Sequence, residues 1–160
     1  MIALVLRDGE VLIESHSILD YLDRLVSPDR VLFPSPWPAR RQSLQIAALA
    51  TGMGEKAVCL FYEMRLHREV SEVWVKRCRP QIAATLAVLE KDRAGTATDY
   101  WFGGPIGHAD IEVATVLRFI SEAHPGLIEM LDCPALKAHA ERLEVLPAFK
   151  EIIQPFNAPA

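Results

Sequence analysis

Two adjacent residues, Glu14 and Ser15, stand where an aliphatic run ends and an amphipathic one begins. A helix opening there presents unpaired N–H groups and partial positive charge, which suit an anion such as a carboxylate. Ser15 can donate its hydroxyl to that carboxylate while Glu14 accepts from an ammonium, so the pair can hold both charged groups of an amino-acid-like end. The same residues also fit a purely structural reading, with Ser15 as the helix N-cap and Glu14 as an exposed acid beside it. His16, next in line, can tune the charge of the pair or simply sit in solvent on the first turn.

Other reactive side chains form no comparable arrangement. Ser17, Tyr21, Cys59 and Tyr62 carry suitable atoms, yet all fall in helical patterns where packing or solvation explains them, and no residue is assigned to catalysis. The five histidines form no H-E-x-x-H and no paired ligand spacing, and His108-Ala109-Asp110 offers one ligand beside a capping acid, so no metal site is expected. Cys59, Cys78 and Cys133 are far apart and lack C-x-x-C spacing, which suggests neither a disulfide framework nor a thiolate site and fits a reducing, cytoplasmic setting.

The elements that position Glu14 and Ser15 are legible as a change of period. Ala3-Leu4-Val5-Leu6 and Val11-Leu12-Ile13 flank Arg7-Asp8-Gly9-Glu10, where Asp-Gly permits a tight reversal, so a β-hairpin is predicted. From Ser15, Ile18, Leu19, Leu22, Leu25 and Val26 share one helical face and Asp20, Asp23 and Arg24 the other, with the helix ending before Pro28. Four prolines between Pro28 and Pro38 exclude regular structure, which sets expected boundaries of 1–27 for a first unit, 28–38 for a connection and 39–160 for a second.

The second unit reads as an all-helical bundle. Helices are predicted over Ala39–His67, Arg68–Asp92, His108–Glu122, Gly126–Leu131, Ala135–Leu146 and Pro147–Ile153. The segment after Gly107 is apolar on nearly all sides and belongs at the centre. Pro80 is expected to kink or break its helix, and Gly52 and Gly54 to mark close packing or a bend.

Composition excludes several functions. The chain has 160 residues, 51% hydrophobic and 24% charged, with a formal net charge of -4. That balance gives no attraction for a phosphate backbone, and nucleic acid is not an expected partner. Charges are expected to interrupt every hydrophobic stretch before it reaches the ~20 residues of a membrane-spanning helix. The opening Met1–Leu6 reads as a strand rather than a signal peptide.

Three ordered segments carry a family resemblance: LVLRDGEVLIESHSILDYLD from Leu4, FGGPIGHADIEVATVLRFI from Phe102 and CPALKAHAERLEVLPAF from Cys133. Together they resemble cytosolic glutathione S-transferases of the bacterial type, seen without the first strand, helix and strand. The resemblance implies a mainly α fold, in which a β-hairpin and helix of a thioredoxin-like domain precede the all-helical C-terminal bundle. It implies that Glu14 and Ser15 bind the γ-glutamyl end of glutathione, the co-substrate, and that Asp110 stabilises the start of the central helix. It further implies a homodimer and transfer of the glutathione thiolate to a small hydrophobic electrophile in the full-length form. The alternative is a non-catalytic module for ligand holding or protein association. Two departures stand out: Gly107 replaces the family's Ser or Thr cap, and Met1-Ile2 replaces its Val-Pro.

Overall fold

The computed structural model describes residues 2–128 and 131–158. Strand β1 (Ala3–Val5) pairs antiparallel with β2 (Val11–Ile13), Leu4 lying opposite Leu12. Gly9, at φ 91°, makes the reversal, and Asp8 Oδ1 accepts from Glu10 N at 3.0 Å. Alternation turns Leu4 and Leu12 inward and leaves Val5, Val11 and Ile13 more than half exposed on the other face. Helix α1 (Ser15–Asp23) packs on this hairpin and buries Ile18.

A single 3-10 turn at Pro28–Arg30 leads into an irregular stretch that reaches α2 (Trp37–Leu66). The bundle continues with α3 (Glu72–Ala94), α4 (His108–Ala123), α5 (Pro134–Glu144) and the short α6 (Pro147–Ile152). Helix α4 packs on α2 and α5 and buries Val113, Ala114, Val116, Leu117 and Ile120, the central position its all-round apolarity predicted. Gly54 lets α2 approach α4 closely, since a Cβ there would lie 3.2 Å from Val116 Cγ2. Trp101 is buried and donates Nε1–H to Asp92 Oδ2 at 2.6 Å, so its ring serves the core.

Several expectations need correction. Helix α3 begins at Glu72 rather than Arg68, because Ser71 caps it by accepting from Trp74 N at 3.3 Å. Of the kink or break expected at Pro80, the break does not occur, since α3 runs continuously through it. Proline costs ~3 kcal/mol in a helix interior, but Pro80 is exposed, so the carbonyl it leaves unpaired lies on the solvent side. Of the helix expected over Gly126–Leu131, residues 129 and 130 lie outside the described residues, and 126–128 form turns. Charges also fail to interrupt α2, which is long and apolar enough to cross a membrane by length and composition alone. Its Ile46, Ala50, Met53, Ala57 and Leu60 are buried in the bundle core, which accounts for part of that apolarity.

Candidate functional site

Glu14 sits between β2 and α1 with φ 74° and ψ 131°. Among the described residues, only Glu14 and Asp132 are non-glycine residues with positive φ. Such a conformation is unfavourable for a side chain with a Cβ and persists where its surroundings enforce it. Its effect is to fold the carboxylate back over the start of α1. Oε2 accepts from His16 N at 3.1 Å and Oε1 from the Ser15 hydroxyl at 3.2 Å.

Glu14 therefore performs the capping that the structural reading gave to Ser15, and Ser15 is the first helical residue. Slight burial raises the Glu14 carboxyl, but the His16 and Ser15 hydrogen bonds and the nearby imidazole outweigh it and hold the group below the usual carboxylate range. The outcome is an ionised, exposed acid next to a hydroxyl at a helix N-terminus, which is the chemistry an ammonium–carboxylate ligand requires.

His16 is not simply solvated. Its ring is half-buried, and Nε2 lies 3.3 Å from Thr51 Oγ1 of α2, whose hydroxyl also faces Glu112 Oε1 of α4 at 2.9 Å. Further along α1, Asp20 pairs with Arg40 of α2. Asp23, at the helix end, accepts from Leu32 N at 3.1 Å and Phe33 N at 2.9 Å. Residues 16, 20 and 23 share one face at helical spacing, so the polar face of α1 is a face that docks it onto the rest of the chain.

The far end of that docking face closes on the start of α4. His108 is buried, its ring tilted against that of Phe33 with centroids 4.3 Å apart, and Nε2 lies 3.3 Å from Asp23 Oδ1 but without the alignment of a hydrogen bond. Burial pushes its imidazole down, more strongly than Asp23 lifts it. Asp110 is also buried and accepts from Gly107 N and Trp101 N, each at 2.9 Å, forming the half of a capping box that needs no side chain at Gly107.

Sequence reasoning missed Thr51 and Glu112, which lie 35 and 96 positions beyond His16, where no local pattern reaches them. The 16/20/23 spacing was a signal for the docking face. Of the other reactive groups, Cys78 and Cys133 are free, buried and raised by that burial, which opposes thiolate formation, while Cys59 is free and exposed.

This geometry has recognisable relatives. The model of the glutathione S-transferase C-terminal domain matches residues 72–142. The chain is 32% identical to a glutathione transferase family member from Pseudomonas fluorescens Pf-5 solved with S-(propanoic acid)-glutathione, covering 96% of this chain and 77% of that one at a TM-score of 0.81. A glutathione S-transferase from Methylobacterium radiotolerans, in complex with glutathione sulfonate, is 26% identical, with 100% and 76% covered and a TM-score of 0.82. Mouse glutathione S-transferase A3 is 24% identical over 152 residues, and the chain spans 63% of its length. The hairpin, helix and bundle are thus an architecture this chain shares with solved glutathione S-transferases. The chain belongs to the glutathione S-transferase family.

Proposed function

We propose that Glu14 and Ser15 hold the γ-glutamyl end of glutathione, in a cytoplasmic homodimeric protein that transfers the glutathione thiolate to a small hydrophobic electrophile. The observation that carries this reading is the positive φ of Glu14, which aims a carboxylate over the start of α1 beside the Ser15 hydroxyl. In this reading Glu14 accepts from the ligand's ammonium while the Ser15 hydroxyl turns from Glu14 Oε1 to donate to the ligand's carboxylate, beside the first-turn N–H groups that Glu14 does not take. The glutathione conjugate in the Pseudomonas relative supports the same ligand class.

The thiol gives its proton to solvent, and the thiolate then either displaces a leaving group, which departs with the bonding electron pair, or adds to an activated double bond whose neighbouring carbon takes a proton back from solvent. The chain's assigned contribution is to bind and orient glutathione. A second copy is supported by the outer face of the hairpin, where Val5, Val11 and Ile13 present apolar surface and β1 presents an unpaired edge.

Calorimetric titration with glutathione tests the reading. Saturable binding is expected, weakened at least about tenfold in a Glu14→Ala/Ser15→Ala double variant through loss of two charge-assisted contacts. A folded wild-type protein that releases no heat and does not saturate would overturn it in favour of a non-catalytic ligand-holding or association module.

A further inference from the structure

We propose that His16 is a positioning residue for the Glu14–Ser15 site, locked by Thr51 and Glu112 in the form that carries its hydrogen on Nε2. Its ligand consequence rests on the glutathione reading; its geometry does not. Thr51 has one hydroxyl proton, for which the Ala47 carbonyl at 3.0 Å and Glu112 Oε1 at 2.9 Å compete. Both oxygens lie closer to Thr51 Oγ1 than His16 Nε2 does at 3.3 Å, so the proton goes to one of them ahead of the ring and the Thr51 oxygen meets Nε2 as an acceptor. The assigned form therefore has Nε2 as the donor, and a neutral ring then turns a bare Nδ1 towards Glu14 Oε2, 3.9 Å away.

Two consequences follow for the site. The ring fastens to the bundle the same residue whose backbone N–H orients the Glu14 carboxylate at 3.1 Å, so three helices, α1, α2 and α4, fix the direction of that acid. With Nδ1 bare, Glu14 keeps its outward lone pairs for a ligand's ammonium, whereas a hydrogen on Nδ1 would compete for them. Occupancy of the site and the docking of α1 on the bundle are then reciprocally coupled.

The test combines ring nitrogen NMR with glutathione titration on the whole chain, at about pH 8, where an ordinary imidazole is neutral. The wild-type His16 ring is expected to show a protonated Nε2 and a bare Nδ1. Thr51→Val is expected to lose that preference and to bind glutathione about fivefold more weakly, while Thr51→Ser, which keeps the hydroxyl, stays within about twofold. A wild-type ring protonated on Nδ1 overturns the assignment, as does a Thr51→Val protein with unchanged ring shifts and affinity. Should the wild type bind no glutathione, the glutathione reading fails separately. The ring shifts, with amide exchange of residues 16–18 in Thr51→Val against Thr51→Ser, still decide the role of His16.

Discussion

A Cβ on Gly107 would lie 2.9 Å from the Leu32 carbonyl oxygen, which the neighbouring His108 N–H also approaches at 3.2 Å. The hydroxyl that would complete the α4 cap therefore has no room, because the connecting chain passes through its place. Gly107→Ser and Gly107→Ala are both expected to destabilise the protein by about 1–3 kcal/mol in chemical denaturation, the range for overpacking. A stabilised Gly107→Ser would refute the steric account. His139 carries a second consequence of burial. Loss of solvent pushes its imidazole down to about 4, with the Asp110 carbonyl opposing and Arg93 and Arg142 assisting. A depressed folded value means stability that is present above about pH 6.5 and lost as pH falls towards 4, on the order of 3 kcal/mol in total. Asp110, raised by burial, titrates in the opposite sense, so the contribution of His139 is read as a difference: His139→Gln should flatten the acid limb of the stability profile relative to wild type. Parallel profiles for the two proteins would contradict it.

Helix α1 is held by its polar face as much as by its apolar one. Asp23 contributes most visibly, since its carboxylate takes two backbone N–H groups that would otherwise be unpaired. Asp23→Ala is expected to cost about 1–3 kcal/mol and to accelerate amide exchange in α1 well before that in α3. Uniform acceleration across both helices would mean that α1 and the bundle open as one unit. The hairpin and α1 were readable because Asp-Gly and the change from period two to period 3.6 are local signals. The Glu14–Ser15 junction was readable for the same reason. What the aspartates face was not, because a carboxylate pointing at water and one pointing at a distant peptide N–H leave the same sequence pattern. Nor could local propensity foretell that Pro80 would lie on the outside of an unbroken helix, where packing of the opposite face outweighs the lost hydrogen bond.

At the scale of the whole molecule, the hairpin is open on one face, at Val5, Val11 and Ile13, while the bundle closes around α4. Two strands of three residues are too little to stand alone, so the hairpin depends on α1 and on whatever covers its outer face. If that cover is a second copy, sedimentation equilibrium should give twice the 17.9 kDa chain mass, with a thermal midpoint that rises with protein concentration. A monomer whose midpoint ignores concentration would remove the homodimer. The polar grip on α1 also sets how the two parts respond to ionic strength. The bundle is cemented by apolar packing, whereas Asp20–Arg40, with each side chain about a third exposed, lies within reach of mobile ions. Added salt, screening over about 8 Å at 0.15 M and less at higher concentration, should loosen the seat of α1 while leaving the bundle's own unfolding nearly unmoved. Buffer composition alone would then shift the balance between a seated and an unseated Glu14–Ser15 turn.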